Sequence, residues 1–305
     1  EVTSFNGEGK TIPFFVGGEC KGADLAGVKY EQLMPYALPC ENPEKAFVSK
    51  NELERMRDKM VHRGPNDSGI WISDDNRIGL AHRRLSIIDL NPSAAQPMTN
   101  AICKKHSPIW IVFNGEIYNH QNLRQRLISL GYSFQTDHSD TEVIIHGYAE
   151  WGIDALLEKL EGDFAISIWD ERAQTLFLAR DKIGVKPLYF YLDEEQLVFA
   201  SEIKSILEKE NIIPDVDSVA LYHYLSFLTT PAPLTMFKDI FKLPAGTYLR
   251  IEKSSNPQAI KYWDPAINQV TVSDEEIING EDKRDHSKNI LSILEDSIEK
   301  RMMSD

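Results

Sequence analysis

Residues 109–119 of the chain read Ile-Trp-Ile-Val-Phe-Asn-Gly-Glu-Ile-Tyr-Asn. The apolar run Ile109–Phe113 predicts a short buried strand. Asn114 and Gly115 follow it directly, and Asn-Gly is a common turn dipeptide. The same pair also offers a side-chain amide N–H and an unobstructed backbone N–H, which are the donors from which oxyanion holes are built. The stretch therefore predicts either a plain turn or a functional site at the end of a strand.

The segments on both sides of this stretch predict an α+β fold. On the amino-terminal side, the capping-box pattern Ser49–Glu52 opens a helix, and the turn Asp74–Asn76 joins two strands of a hairpin. On the carboxyl-terminal side, one helix begins near Asn119 and a second begins after Ser139-Asp140 and ends at Gly152. Four further strands are predicted at 164–170, 174–180, 187–192 and 196–201. Strands, two helices and strands again favour α+β layers over a βαβ series.

The chain divides into three parts by composition. Residues 1–46 lack a clear period and stay unassigned, apart from a short strand predicted at Thr11–Val16. Residues 47–264 form the predicted domain. Residues 265–305 contain the end of an acidic linker and an amphipathic helix at Ser287–Met302.

Composition excludes several classes of partner. The 33 Lys and Arg residues against 47 Asp and Glu residues give a net charge of −14, which argues against nucleic acid or an anionic membrane as a main partner. The longest unbroken apolar run is far shorter than a membrane helix, and no secretory signal is visible. The three cysteines fit a reducing compartment. From these features we expect a soluble, cytoplasmic protein. We expect no metal site, because the Cys-x-x-Cys and His-Glu-x-x-His motifs are absent, and the P-loop motif is absent as well.

Five clusters of polar residues lie where the predicted elements end: His62–Pro65, Arg83–Asp89, Asn114–Asn119, Ser139–Glu142 and Ala179–Pro187. Each has a plain structural explanation as a turn, a helix cap or a group of surface charges. Taken together they suit a free amino acid that carries a side-chain amide, which is glutamine.

Each part of glutamine has a matching group in these clusters. Arg84 could bind the carboxylate through two parallel hydrogen bonds, and Glu116 and Asp140 could bind the ammonium group. Asn114 and Gly115 could stabilise the oxyanion that forms when the amide is attacked.

Residues from about Asn51 to Asp264 resemble the glutaminase domain of the glutamine-hydrolysing asparagine synthases. Other class II glutaminases, such as the glucosamine-phosphate synthases, share Ser-Asp-Thr-Glu but differ at Asn114–Asn119. The resemblance rests on nine ordered segments: His62–Pro65, Arg84–Asp89, Gln96–Met98, Asn114–Asn119, Ser139–Val143, Leu160–Ala165, Ala179–Tyr189, Ala200–Lys204 and Leu243–Gly246.

The resemblance implies an N-terminal-nucleophile hydrolase fold, which is an αββα sandwich of two antiparallel sheets between helices. It implies that glutamine is hydrolysed to glutamate and ammonia for the ATP-dependent amidation of aspartate by a second, synthetase domain. ATP and magnesium are then expected only in that second domain, and a homodimer is a possible assembly. Implied glutamine-binding residues are Arg84, Leu85, Ser86, Ile87, Ile88, Asn114, Gly115, Glu116 and Asp140, with Asn114 and Gly115 as the oxyanion hole.

The chain departs from the family pattern at the nucleophile. The family uses an amino-terminal cysteine followed by Gly-Ile, whose own α-amino group acts as the base. This chain begins Glu1-Val2-Thr3-Ser4 and contains no Cys-Gly-Ile. Three explanations are open: a shifted translation start, a pseudo-glutaminase that binds glutamine or braces a synthetase domain, or processing before Cys20 or Cys40. The chain also stops before any Ser-Gly-Gly-x-Asp-Ser pyrophosphate loop, so we expect it to be a fragment or a protein without its synthetase half.

Overall fold

A computed structural model describes residues 3–5, 11–13, 48–100, 108–193, 196–252, 257–265 and 283–302. The chain divides into two compact units, Glu1–Pro35 and Tyr36–Asp305. In the first unit, strand β1 (Thr3–Phe5) pairs antiparallel with strand β2 (Thr11–Pro13). The strand predicted at Thr11–Val16 is therefore present over its first three residues, and its last three lie outside the described residues.

The second unit contains the remaining helices and strands. The helices are α1 (Lys50–Asp58), α2 (His120–Ser129), α3 (Asp140–Lys159), α4 (Ile203–Ile206), α5 (Ser218–Phe227) and α6 (Lys283–Arg301). The strands are β3 (Asp67–Ile72), β4 (Gly79–Arg84), β5 (Met98–Thr99), β6 (Ile109–Ile117), β7 (Gly162–Asp170), β8 (Thr175–Arg180), β9 (Tyr189–Leu192), β10 (Leu197–Ala200), β11 (Ile240–Lys242), β12 (Thr247–Glu252) and β13 (Gln258–Lys261). No helix among the described residues is long and apolar enough to cross a lipid bilayer.

A six-stranded antiparallel sheet forms the centre of this unit, in the order β13-β12-β8-β7-β6-β5. Residues Phe164–Trp169 of β7 are buried without a break, as the alternation of large side chains on this strand predicts. One face of the sheet packs against α2 and α3, where Ile144 and Leu157 have no exposed surface.

The opposite face of the sheet carries a thinner second layer. Here β10, β9 and β11 form a three-stranded antiparallel sheet, and β3 and β4 form the predicted hairpin as a separate two-stranded sheet. Helix α1 covers this layer from outside, and none of its residues is fully buried. The predicted α+β class, with antiparallel sheets between helices, is confirmed.

Two local predictions concern helix ends. Helix α1 begins directly after Ser49, but the Ser49 side chain makes no capping hydrogen bond, and Glu52 instead pairs with Lys209, 2.7 Å away across the fold. The regular helix that begins at Asp140 is interrupted at Gly152, as predicted, because Gly152 has a φ of 73° and a ψ of 176°. A second helical segment follows this kink and runs to Lys159.

Candidate functional site

Strand β6 carries the predicted oxyanion donors within its length rather than after its end. The predicted strand ended at Phe113, but pairing with β7 extends it to Ile117, so Asn114, Gly115 and Glu116 are strand residues. Gly115 lies opposite Phe164, and a Cβ atom on Gly115 would lie 2.0 Å from the carbonyl oxygen of Asp163. Only glycine therefore permits the two strands to approach this closely.

The hydrogen bonds around β6 show which way its backbone groups point. Both backbone groups of Phe164 bond to Asp181, on the far side of β7 from β6. Gly115 lies opposite Phe164, and because both backbone groups of Phe164 point away from β6, this pair does not exchange hydrogen bonds. The Gly115 N–H therefore points away from β7. The N–H groups of Phe113 and Ile117 point the same way, to Gln96 Oε1 at 2.7 Å and Asp140 Oδ2 at 3.1 Å. The Gly115 N–H therefore lies between two anchored neighbours.

The side chain of Asn114 points towards a segment that follows β10. Its Nδ2 atom donates to Ser201 Oγ at 3.3 Å. A side-chain amide donor and a backbone N–H thus belong to neighbouring residues of one strand, and their role as an oxyanion hole stays a prediction.

Asp140 is a buried carboxylate at the first turn of α3, with 5% of its surface exposed. Burial raises the pKa of Asp140 to about 7, hydrogen bonds from backbone N–H groups oppose this shift, and the charge of Glu116 adds to it. Two carboxylates therefore share one region, and a cation placed between them would relieve both the burial cost and their repulsion.

Arg84 is buried, and its guanidinium group holds the shape of its own loop. It donates to the carbonyl oxygens of Asn91 at 3.2 Å, Ile88 at 3.4 Å and Asp89. Recognition of a substrate carboxylate by Arg84 stays a prediction. Leu85 is half exposed, while Ser86, Ile87 and Ile88 are partly buried along the same loop.

Two side chains that were not predicted as functional join the three segments. Asp89 is almost fully buried and accepts hydrogen bonds from the N–H groups of Asn91 and His138, which ties the Arg84 loop to the residues before Asp140. Gln96 accepts from Phe113 and donates to Thr141 Oγ1 at 3.3 Å, which ties β6 to the start of α3. The segment Gln96–Met98 was part of the family resemblance, and this was the signal that could have identified Gln96.

Glu142 holds the loop that precedes Asp140 in place. It accepts hydrogen bonds from the N–H groups of Gln135 and Thr136, each at 2.8 Å, and from the Thr136 hydroxyl. The Ser139 side chain makes no capping bond, so the plain explanation of this cluster as a helix cap is not met through that residue.

The cluster Ala179–Pro187 is a buried structural turn. Asp181 has no exposed surface and accepts hydrogen bonds from four backbone N–H groups, those of Phe164, Ile183, Val185 and Lys186. Arg180 donates to three carbonyl oxygens, those of Gly184, Lys186 and Leu243. The plain explanation of these residues as surface charges was wrong, because the pair organises the turn from inside.

The cluster His62–Pro65 lies at the surface beside Ser201. Glu202 pairs there with His62 at 3.0 Å, Arg63 at 3.3 Å and Lys204 at 2.9 Å. Within the described ranges, no group of three or more His, Cys, Asp or Glu side chains is arranged to hold a metal ion. Cys20, Cys40 and Cys103 lie outside the described residues.

The buried carboxylate of Asp140, at the start of α3, accepts a hydrogen bond from Ile117 of β6, so polar groups from a helix and a strand lie close to Gly115 and Glu116. A family model described as "Glutamine amidotransferase domain" matches residues 41–263. Because the match covers well over half of the chain, the chain belongs to this family.

Several curated relatives have names that concern glutamine-dependent synthesis. Asparagine synthetase [glutamine-hydrolyzing] 1 of Bacillus subtilis is 34% identical over 266 residues, which is 87% of this chain and 39% of that protein. A putative asparagine synthetase [glutamine-hydrolyzing] 2 of Methanocaldococcus jannaschii is 33% identical over 277 residues, covering 85% of this chain and 50% of that protein. The chain thus spans about two-fifths to one-half of the length of these relatives.

Two further similarities cover less of the chain. Amidase chry2 of Gibberella zeae is 35% identical over 215 residues, covering 70% of this chain and 30% of that protein. Among solved structures, the glutamine phosphoribosylpyrophosphate amidotransferase of B. subtilis in complex with ADP and GMP aligns with a TM-score of 0.44 and 21% identity, over 61% of this chain and 35% of that chain.

Proposed function

We propose that this chain is the glutaminase part of an asparagine synthetase-type amidotransferase. It would hydrolyse glutamine to glutamate and ammonia, and a synthetase domain holding ATP and magnesium would use the ammonia to amidate aspartate. The observation that carries the proposal is the position of the Gly115 N–H between the anchored residues Phe113 and Ile117, with the carboxylates Glu116 and Asp140 beside it.

In the proposed reaction, glutamine binds by its two ends before its amide is attacked. Glu116 and Asp140 hold the ammonium group, and the loop Arg84–Ile88 holds the carboxylate. A cysteine thiolate attacks the amide carbon, and the developing oxyanion accepts hydrogen bonds from Asn114 Nδ2 and the Gly115 N–H. The amide nitrogen takes a proton and leaves as ammonia. Water then hydrolyses the thioester, which releases glutamate and restores the thiol.

The identity of the nucleophile is a separate proposal from the identity of the pocket. Ammonia release from glutamine by the purified chain tests for a working nucleophile. A Cys20→Ala, Cys40→Ala double variant tests both candidates in this chain, because activity that persists in it excludes them. Glutamine binding without ammonia release identifies a domain that binds but does not hydrolyse.

Calorimetry with a series of ligands tests the pocket directly. We expect L-glutamine to bind, and we expect a matched analogue that lacks the α-amino group to bind at least tenfold more weakly, because its binding leaves the carboxylates of Glu116 and Asp140 without a cation. A charge-assisted hydrogen bond is worth about 1.5–3 kcal/mol. Equal affinity for the two ligands would contradict the assignment of these carboxylates.

A further inference from the structure

The outer edge of β6 loses its strand partner, among the described residues, where the proposed glutamine site begins. Strand β5 pairs with β6 as far as Met98, which lies opposite Ile111. Pro97 precedes Met98 and has no backbone N–H to donate to a further position of the ladder. The rest of this edge of β6 therefore depends on side chains for its hydrogen bonds.

The side chain of Gln96 takes the place of a strand at Phe113. Continuing the register of β5 would put Gln96 opposite Phe113, and here the side-chain Oε1 accepts the Phe113 N–H at 2.7 Å. The carbonyl oxygen of Phe113 also meets a side chain, since His82 Nε2 lies 3.1 Å away. Side chains therefore hold both backbone groups of the residue that precedes Asn114.

Gln96 makes a second hydrogen bond, to the start of α3. Its Nε2 donates to Thr141 Oγ1 at 3.3 Å. The N–H of Phe113 can only donate, so it fixes Oε1 of Gln96 towards β6 and leaves Nε2 for Thr141. Gln96 and Thr141 are 9% and 3% exposed, and both hydrogen bonds are buried.

This second contact of Gln96 closes a ring around the Gly115 N–H. The ring leaves β6 at Phe113, passes through Gln96 to the first turn of α3, and returns to β6 where Asp140 Oδ2 accepts the Ile117 N–H at 3.1 Å. Gly115 lies midway between Phe113 and Ile117 on the strand side of this ring. The ring thereby sets the distance between the Gly115 N–H and the Asp140 carboxylate.

We propose that Gln96 is a positioning residue that sets this distance, and that the distance selects glutamine over asparagine. The proposal rests on the proposed function, in which the ligand ammonium group binds Asp140 and the amide oxygen faces Gly115. Asparagine is one methylene shorter than glutamine. With its ammonium group at Asp140, its amide oxygen falls short of the Gly115 N–H.

The two ligands therefore respond differently to a looser ring. Glutamine has to reach both groups at once, so a small change in their separation costs it affinity. Asparagine reaches only the ammonium end and does not sense the separation. A purely structural role of Gln96 predicts something else, because a less stable fold weakens the binding of both ligands by the same factor.

Two variants open the ring, and a third serves as the control. Gln96→Met keeps the length of the side chain and removes both hydrogen bonds. Thr141→Val keeps the shape of the side chain and removes only the acceptor for Gln96 Nε2. Thr175→Val makes the same change at a threonine of β8 that is 2% exposed and whose hydroxyl donates to the carbonyl oxygen of Ala173.

Calorimetry of the full chain with L-glutamine and L-asparagine measures the ratio of the two Kd values. We expect the wild type to prefer glutamine by about tenfold or more, which is the usual effect of one methylene. Gln96→Met should weaken glutamine binding about tenfold and asparagine binding less than about twofold. Thr141→Val should lower the ratio about threefold, and Thr175→Val should leave it within about twofold of the wild type.

A ratio that stays at the wild-type value in Gln96→Met and Thr141→Val would overturn the proposal. So would an equal fall in Thr175→Val, because any lost buried hydroxyl would then have the same effect. If Gln96→Met does not fold, Thr141→Val decides alone, since it keeps the hydrogen bond between Gln96 and Phe113. Unchanged ratios with intact glutamine binding refute the role of Gln96 and leave the proposed function standing. Absence of glutamine binding in the wild type refutes both.

Discussion

The two sides of the six-stranded sheet are packed to different degrees. On one side, α2 and α3 bury side chains such as Ile144 and Leu157 completely. On the other side, α1 has no fully buried residue, two small sheets stand apart, and a cavity of about 320 Å³ lies beneath the helix. We infer that the first side supplies most of the stability of the domain, because its side chains are buried more completely.

The largest expected effect concerns two glycines with positive φ. Gly115→Ala should reduce the free energy of unfolding by more than about 4 kcal/mol or prevent folding, because its Cβ would lie 2.0 Å from a backbone oxygen. Gly152→Ala is the control, since Gly152 has a φ of 73° but no atom within 4 Å, and it should cost only about 1–3 kcal/mol. Urea denaturation measures both. Equal losses would mean that the approach of β6 to β7 is not as close as described.

A pair of truncations on the two sides of the sheet gives the next largest difference. Leu157→Ala removes a completely buried side chain and should cost about 2–5 kcal/mol. Met56→Ala removes a partly buried side chain from the roof of the cavity and should cost about 1 kcal/mol or less. Chemical denaturation of both variants tests the contrast, which fails if Met56→Ala proves as damaging as Leu157→Ala.

Asp140 links glutamine binding to pH. Burial raises its pKa to about 7 in the free protein, and an ammonium ligand requires the ionised form. Below pH 7 the ionised fraction falls about tenfold per pH unit, so the Kd for glutamine should rise by the same factor. Asp140→Asn should abolish this dependence and weaken binding at pH 8 by about 1.5–3 kcal/mol. Calorimetry of glutamine binding from pH 5.5 to 8 measures this dependence. A wild-type Kd that does not change with pH would exclude Asp140 as the ammonium ligand.

The carboxyl group of Asp140 also makes the folded protein less stable as the pH rises, whereas an aspartate in an ion pair makes it more stable. The folded protein keeps the proton of Asp140 to a higher pH than the unfolded chain does. The contribution of Asp140 to stability is therefore full below the unfolded pKa of about 4 and is lost as the pH rises through about 7. Asp140→Asn should accordingly raise the melting temperature at pH 8 relative to the wild type and much less at pH 4. A variant that is less stable at pH 8 would contradict the burial of an uncompensated charge.

The smallest effect is expected at the surface cluster around Glu202. Its partners His62, Arg63 and Lys204 are substantially exposed, so Glu202→Gln should change the free energy of unfolding by about 1 kcal/mol or less. Glutamine affinity should stay within twofold of the wild type. A larger change in affinity would place this cluster in the site rather than beside it.

Much of the better-packed side could be predicted from the sequence. The sequence predicted a helix that begins near Asn119 and a strand at residues 164–170, and the structure places α2 and β7 there. The extension of β6 to Ile117 could not be predicted, because it depends on pairing with β7, and the local signal of Asn114-Gly115 is that of a turn.

The residues that hold the site together were harder to predict than those that line it. Asn114, Glu116 and Asp140 carry groups whose chemistry suggests a role. Gln96 bonds to Phe113 and Thr141, and Asp89 bonds to His138, and no local hydrophobic or turn pattern signals these distant contacts. The buried Arg180 and Asp181 show the same difficulty, since a charged pair between two strands usually lies at the surface.

The amide resonance of Gly115 in a TROSY spectrum of the isotopically labelled chain tests most directly whether strand β6 holds the substrate amide. We expect L-glutamine to shift the Gly115 and Ile117 amide signals in a saturable way, with smaller shifts from the analogue that lacks the α-amino group. Glutamine that binds without moving the Gly115 signal, or moves signals only at a distant surface, would contradict the claim that strand β6 holds the substrate amide.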